Sequence, residues 1–236
     1  MSQLPATSRP ADIAPPPLPA ARPPLWTPIA LTALGAAGFA AVAADLHFHG
    51  QLARWNDPVS IALHQRNTPG GIILFSGLSY LGDIKIILAV MVAVVAWLWK
   101  TGRRRSLILW LIALAGSAIL NQVFKDIFQV ARPDRWTYYV FAPGAGYSFP
   151  SGHTMAVGVT AGTLTLLLLH HFPLPPRTRL LAGAAVAALT ILVAFALLYM
   201  GVHTLTDVLG GLALTMAWLG VLRFFLPPRL SASVKI

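Results

Sequence analysis

The run PSGHTMAVGVTAGTLTLLLLHH at residues 150–171 contains both features that decide how this chain folds. It has no Asp, Glu, Lys or Arg, and it is long enough for a helix that crosses the hydrocarbon core of a membrane, about 30 Å thick. It begins with Pro150, Ser151 and Gly152, and a helix start of this kind presents free N–H groups to anions. The run therefore predicts a membrane helix whose first turn, next to His153, forms an anion site.

The composition of the whole chain is that of an integral membrane protein. Of its 236 residues, 56% are hydrophobic and only 10% are charged, whereas a soluble domain carries about 25% charged residues. The chain has no cysteine, which excludes disulfides and thiol chemistry. Its seven acidic residues are all Asp, which disfavours a metal site built from several carboxylates, and we expect no metal and no cofactor.

Six apolar runs are long enough to span the membrane, and they predict an all-α, polytopic bundle of six transmembrane helices. A segment at 51–69 mixes apolar and charged residues, and it predicts a short helix at the membrane interface. The run 71–82 either extends the second span or packs against the bundle. The predicted spans are residues 25–44, a second span ending at Trp99, and residues 106–124, 151–171, 180–199 and 206–225.

The basic residues predict the orientation of this bundle. They cluster before the first span, between the second and third, between the fourth and fifth, and at the end of the sixth. With six spans these four groups share one side, so the positive-inside rule places both termini in the cytoplasm. This use as anchors accounts for most of the net charge of +10, and we expect no nucleic-acid partner. The groups comprise Arg9, Arg22, Lys100, Arg103, Arg104, Arg105, Arg177, Arg179, Arg223, Arg229 and Lys235.

The two ends of the chain differ from the apolar part between them. Residues 1–24 are rich in Pro and Ala and predict a disordered cytoplasmic tail, with a proline-rich ligand for a partner as the less favoured alternative. Residues 25–226 form the predicted membrane domain, and residues 227–236 a short cytoplasmic tail.

The predicted orientation brings three separated groups of residues to the outer boundary of the membrane. Lys125 and Arg132 follow the third span, and the Pro-Ser-Gly-His stretch begins the fourth. His203 and Asp207 lie around the start of the sixth. Ionisable residues concentrated at such a boundary indicate a functional site.

The first two groups suit a bound phosphate, although each also has a plainer interpretation. Lys125 offers a point charge and Arg132 a planar fork of donors for phosphate oxygens. Basic residues beside a membrane helix also serve as anchors or as contacts to lipid headgroups. The helix start at Ser151 and Gly152 offers amides to an anion, but Ser151 is equally an ordinary N-cap.

The third group suits a nucleophile. His203 and Asp207 are four residues apart, and a carboxylate at this reach holds one ring nitrogen and leaves the other free to attack. Isolated pairs of this kind are common and usually have no function. Together with the other two groups, the pair describes a site that holds a phosphate and attacks it.

These motifs resemble those of the type-2 phosphatidic acid phosphatase superfamily, which also includes bacterial acid phosphatases and vanadium haloperoxidases. The family patterns Lys-x6-Arg-Pro and Pro-Ser-Gly-His occur in full, at residues 125–133 and 150–153. The third pattern, Ser-Arg-x5-His-x3-Asp, matches at His203 and Asp207 only. Ala196 and Leu197 stand where the family has Ser and Arg.

The resemblance implies a metal-independent phosphohydrolase. In the implied reaction His203, oriented by Asp207, attacks phosphorus and forms a phosphohistidine. His153 protonates the leaving group and later activates water. The phosphate oxygens are held by Lys125, Arg132, Ser151 and Gly152.

The implied substrate is a lipid phosphate or pyrophosphate in the outer leaflet of a bacterial inner membrane, with the site facing the periplasm or the cell exterior. Phosphatidate, phosphatidylglycerol phosphate, undecaprenyl pyrophosphate and lipid A phosphates all fit. Because Leu197 removes one cation, two alternatives stay open: a lipid phosphotransferase on the same scaffold, and a catalytically weakened phospholipid-binding protein. Arg135 is the candidate for a compensating cation.

Overall fold

The computed structural model describes residues 26–133, 146–172 and 174–226, and all regular secondary structure in these ranges is helical. The predicted all-α class is confirmed. In chain order the helices are α1 (Trp26–His47), α2 (Gln51–His64), α3 (Pro69–Ser79), a 3-10 turn (Tyr80–Gly82), α4 (Ile84–Lys100), α5 (Arg104–Phe128), α6 (Gly152–His171), α7 (Pro176–Tyr199) and α8 (Leu205–Phe224). The predicted tails and Arg135 lie outside the described residues.

Five of the described helices are long and apolar enough to cross a membrane: α1, α5, α6, α7 and α8. A sixth span arises if α3 with its 3-10 turn and α4 count as one, since the pair passes the same test but bends by 45°. The bend falls between Gly82 and Asp83, where Asp83 accepts a hydrogen bond from the Lys85 N–H (2.8 Å) and caps α4. This polar cap interrupts the apolar segment, and it separates α4 from the apolar run at 71–82 that precedes it.

One boundary shift changes the environment of a candidate site residue. The third span was predicted to end at residue 124, but α5 continues to Phe128. Lys125 therefore lies on the last turn of a helix and not in a loop. The helix stops at Gln129, which has a left-handed backbone (φ 49°) and turns the chain back towards α6.

Helix α2 corresponds to the predicted interfacial helix, but it ends at His64 and not near residue 69. It packs against α1, α7 and α8. Asp45, near the end of α1, accepts a hydrogen bond from the Ala53 N–H in the first turn of α2 (2.8 Å). This bond fixes α2 across one end of the bundle.

Helix α8 is the centre of the bundle, and α1 lies directly along it. Glycines allow the close approach: a side chain at Gly35 would overlap the backbone of Ala217, and one at Gly220 would overlap the backbone of Thr32. Small residues of this kind let membrane helices pack backbone to backbone. The N-termini of α6 and α8 lie at one end of the bundle. The C-termini of α5 and α7 lie at the same end.

The α1–α8 contact gives a matched test. Gly35→Ala forces a methyl group into the α8 backbone and lowers the free energy of unfolding by about 1–3 kcal/mol, the usual cost of overpacking. Gly38→Ala meets the Ala213 side chain at an ordinary 3.6 Å, so its stability stays at or above that of the unchanged protein. Thermal unfolding in detergent micelles measures both; equal midpoints would contradict the close contact.

Candidate active site

The centre of the candidate site is a buried histidine–aspartate pair. His203 lies in the turn between α7 and α8, and Asp207 lies in the first turn of α8. The His203 Nδ1 is 3.2 Å from the Asp207 Oδ2, and the two residues are 3% and 0% exposed. The predicted pair is therefore in contact. With Nδ1 held by the carboxylate, Nε2 is the nitrogen left to react.

The backbone of α8 orients Asp207. Thr204 and Asp207 form a reciprocal capping box: the Thr204 N–H donates to Asp207 Oδ2 (2.8 Å), and the Asp207 N–H donates to Thr204 Oγ1 (3.4 Å). The other carboxylate oxygen lies 3.1 Å from the Ser148 hydroxyl. That hydroxyl is also 3.1 Å from the Ala131 carbonyl, and its single proton serves one of them at a time. Ser148 was not predicted from sequence, although it lies two residues before the Pro-Ser-Gly-His motif.

The surroundings of His203 favour its neutral form. Burial lowers the pKa of His203 below its usual 6.5, because an imidazolium ion is poorly solvated there. The hydrogen bond and the charge of Asp207 raise the pKa again, and the positive charges of Arg132 and Lys125 lower it further. The net direction is down, so at neutral pH Nε2 carries a free lone pair.

The Pro-Ser-Gly-His motif is seated directly on α8. The Ser151 N–H donates to the Asp207 backbone carbonyl (3.0 Å), and the Ser151 hydroxyl caps α6 by accepting from the Thr154 N–H (3.4 Å). Gly210 leaves room for the Phe149 ring, and a side chain at Gly211 would come within 2.9 Å of the Ser151 carbonyl oxygen. The motif start and the His203–Asp207 pair are thus held together through α8.

The two cations approach from the end of α5. The Lys125 ammonium donates to the carbonyl oxygens of Tyr147 and Ser148 (3.4 Å for Ser148). Beyond the turn at Gln129, the Val130 carbonyl accepts from the Ser148 N–H (2.8 Å). This hydrogen bond holds the segment after α5 against the loop that precedes the Pro-Ser-Gly-His motif. Both cations lie close enough to act electrostatically on Asp207.

Arg132 has an unused donor. Its Nε atom is buried and has no hydrogen-bond partner within the described residues. Burial lowers the pKa of Arg132 while the Asp207 charge opposes the change, and the guanidinium remains a cation at neutral pH. A buried donor without a partner is unusual in a native structure and calls for an explanation. A bound anion supplies one.

His153 lies on the first turn of α6 and contacts the bend of the broken span. A Cβ atom on Gly82 would come within 2.9 Å of both Cβ and Cδ2 of His153. His153 and His203 are also near enough for their charges to interact. Gly82 was not singled out from sequence, because no local pattern marks a glycine that faces a helix 70 residues further along the chain.

Leu197, which stands where the family pattern has an arginine, lies in an apolar environment. Leu197 is 2% exposed and belongs to a cluster with Val157, Val193 and Val208. Those neighbours come from α6, α7 and α8, so the position is part of the packing beneath the site. No cation reaches it from these neighbours, and the proposed substitute, Arg135, lies outside the described residues.

Metal ligands do not cluster in the part of the chain that the structure covers. In residues 26–133, 146–172 and 174–226, no three His or Asp side chains come together as metal ligands would.

The three motifs lie together at one end of a membrane-embedded helical bundle. This combination defines a class of protein, and the family comparison names that class. The model of the PAP2 superfamily matches residues 106–229, just over half of the chain. The chain belongs to the PAP2 superfamily.

Relatives and a solved structure agree with this assignment. Phosphatidylglycerophosphatase B of Bacillus subtilis (strain 168) is 28% identical over 165 residues, which cover 69% of this chain and 76% of the relative. Putative undecaprenyl-diphosphatase YbjG of Escherichia coli (strain K12) is 33% identical over 125 residues, covering 52% and 58%. Human sphingosine-1-phosphate phosphatase 2 is 31% identical over 115 residues, covering 48% and 27%.

The fold is also found in a crystal structure. The first transmembrane PAP2 type phosphatidylglycerolphosphate phosphatase from Bacillus subtilis superimposes with a TM-score of 0.73 at 24% identity, over 85% of this chain and 96% of that one. The two proteins therefore share the arrangement of helices.

The environment of Leu197 predicts the effect of restoring the family residue. Leu197→Arg places a charge among valine side chains and lowers the free energy of unfolding by about 3–5 kcal/mol, the range for an uncompensated buried charge. Leu197→Met keeps the volume and apolar character and costs less than about 1.5 kcal/mol. Thermal unfolding in detergent compares them. An arginine variant as stable as the methionine variant would mean that position 197 opens onto the anion site.

Proposed function

We propose that this protein is a membrane phosphatase that hydrolyses the phosphate or pyrophosphate group of a lipid. The observation that carries the proposal is the buried His203–Asp207 pair within electrostatic range of Arg132, whose Nε donor has no partner among the described residues. A nucleophile with its orienting carboxylate, near a cation with an unused donor, suits attack on a phosphate. Membership of the PAP2 superfamily supports the same reaction, as do the relatives' names, which all describe phosphatases of lipid phosphates.

The reaction begins with in-line attack of the His203 Nε2 lone pair on phosphorus. A P–N bond forms while the bond from phosphorus to the leaving oxygen breaks, and His153 gives that oxygen a proton. Asp207 stabilises the positive charge that develops on the His203 ring. Water then attacks the phosphohistidine, with His153 taking a proton from the water, and inorganic phosphate leaves. Every proton is returned, and no step uses a metal ion.

Arg132 is the principal phosphate ligand in this proposal. Its Nε has no partner among the described residues, its charge acts on His203, and guanidinium donors match phosphate oxygens. The start of α6 at Gly152 adds N–H groups that have no partner within the helix, whereas the Ser151 N–H already donates to the Asp207 carbonyl. The Lys125 ammonium already bonds two carbonyls of the motif loop, so it contributes positive charge and holds the loop. Donors preorganised for a charge that grows in the transition state are the usual source of such catalysis.

The apolar residue at position 197 makes the reaction slower but does not remove it. Loss of one donor that acts on the transition state costs about 10²–10³ in rate, against total accelerations of at least about 10⁶ for enzymes. A phospholipid-binding protein has no use for a buried nucleophile with a dedicated orienting carboxylate. A phosphotransferase shares the first step and differs only in the acceptor, so product analysis separates it.

The outward location of the site is part of the proposal. The basic clusters at the other end of the helices favour that end as cytoplasmic. The site then faces the periplasm or cell exterior of a bacterial inner membrane, where it takes its substrate from the outer leaflet. The substrate's chain stays in the bilayer while its phosphate reaches the site at the membrane boundary.

The proposal predicts which histidine is essential. Purified protein in detergent releases phosphate from a panel containing phosphatidylglycerophosphate, phosphatidate and undecaprenyl pyrophosphate. His203→Ala lowers kcat at least about 10³-fold, as loss of a catalytic nucleophile does. His47→Ala, at an exposed histidine at the end of α1, stays within about twofold.

Two results would contradict the proposal. One is turnover that survives in His203→Ala, and the other is an unchanged protein that releases no phosphate from any substrate. Adding glycerol tests transfer: a glycerol phosphate product formed at the expense of free phosphate would make the protein a phosphotransferase.

The proposal also predicts a pH dependence. Protonation of His203 removes the nucleophile, and its pKa lies below the usual 6.5, so kcat/KM falls only as the pH drops below about 6.5. Arg132→Gln removes a positive charge that depresses this pKa, and the acidic limb moves to higher pH. Arg177→Gln, at the far end of α7, leaves the limb in place. A titration of the substrate alone measures the substrate's own pKa, so its ionisation is distinguished from that of the protein. If the acidic limb of kcat/KM does not move in Arg132→Gln, His203 is not the group that causes it.

A further inference from the structure

Asn56, on α2, makes two hydrogen bonds to one residue at the start of α8. Its Oδ1 accepts from the Thr206 N–H and its Nδ2 donates to the Thr206 Oγ1, each at 3.0 Å. Thr206 is fully buried and immediately precedes Asp207. Asn56 lies outside the region 106–229 that matches the family model.

These two hydrogen bonds act on the part of α8 that orients the Asp207 carboxylate. The first N–H groups of a helix have no partner within the helix, and Asn56 satisfies that of Thr206 from 150 residues away in sequence. The Thr206 hydroxyl is 3.1 Å from that of Thr204. Thr204 in turn forms the capping box with Asp207. A polar network therefore runs from α2 to the carboxylate that holds His203.

The other end of the same turn is held from the same part of the chain. The Tyr199 hydroxyl, at the end of α7, accepts from the Thr68 N–H (3.0 Å) and donates to the Arg66 carbonyl (3.3 Å). These residues follow α2 directly. The turn that carries His203 is thus fixed at Tyr199 and at Thr206, and both attachments come from the α2–α3 region.

We propose that Asn56 is a positioning residue for the His203–Asp207 pair: by holding Thr206 at two points, it sets the rotation of the first turn of α8 and with it the contact between carboxylate and imidazole. The inference rests on the proposed role of His203 as nucleophile. Asn56 does not touch the reacting atoms; it acts through Thr206 and the capping box. A ring nitrogen misaimed by a fraction of an ångström loses rate while the phosphate ligands remain in place.

The test compares Asn56→Ala, Asn56→Asp and Gln51→Ala, the last being an exposed amide on the same helix. All are assayed as full-length protein in detergent at a temperature where thermal unfolding shows them folded. Asn56→Ala lowers kcat about 10- to 100-fold with KM within about twofold. Asn56→Asp keeps an acceptor for the Thr206 N–H, so its kcat lies between those of Asn56→Ala and the unchanged protein. Gln51→Ala has no effect.

The pH profile adds a readout that a merely structural role would not move. In Asn56→Ala the Asp207 carboxylate is held less closely to the ring and stabilises the imidazolium form of His203 less, so the acidic limb of kcat/KM moves to lower pH. The charged and titratable groups acting on His203 are Asp207, Arg132, Lys125 and His153. All four are retained in Asn56→Ala, so the shift reports the contact between Asp207 and His203.

The outcomes separate the two proposals. If Asn56→Ala keeps the kcat of Gln51→Ala while His203→Ala is inactive, the positioning role is wrong and the proposed function stands. A fall in activity that only follows the folded fraction, with the acidic limb unmoved in Asn56→Ala, also overturns the positioning role. If the unchanged protein releases no phosphate from any lipid in the panel, the proposed function fails and the inference fails with it.

Discussion

The rest of the site depends on one buried carboxylate. The two oxygens of Asp207 meet the His203 ring, the Thr204 N–H and the Ser148 hydroxyl, and its backbone carbonyl accepts from the Ser151 N–H. A buried charge is tolerated only when such partners surround it. Satisfying it therefore draws the α7–α8 turn and the loop before α6 to the same point. The same network that makes the carboxylate stable also assembles the site, so the folding of this end and its chemistry are not separable.

The site contains fewer cations than the family pattern, and the structure gives that difference a physical form. At position 197 the chain packs a leucine against three valines from the surrounding helices. The region around Leu197 is consequently apolar, and Arg132 and Lys125 are the described cations whose charge acts on His203. Low polarity around few charges strengthens each of them. A single well-placed guanidinium in such surroundings carries more of the electrostatic work than it would among several cations.

The sequence predicted the helical class, the five unbroken spans and the His203–Asp207 contact, because each rests on local information: length of apolar runs, or four-residue spacing around a helix start. It predicted the second span without its break, and it left open whether the run 71–82 belongs to that span. It missed what depends on distant packing. Nothing near Asn56 indicates that its amide meets Thr206, and nothing near Gly82 indicates a contact with His153. The extension of α5 past residue 124 was missed because Lys125 and Asp126 end its apolar run without ending its helix. Side-chain amides and glycines acquire their roles only once the helices have assembled.

The bend at Gly82 links the site to a property of its surroundings. A straight span adapts to a thicker or thinner bilayer by tilting as one body, whereas a span broken in the middle can also change the angle between its halves. In this protein the break is at Gly82, where the missing side chain leaves room for His153. A change in the angle between the two halves would therefore alter the packing around the first turn of α6.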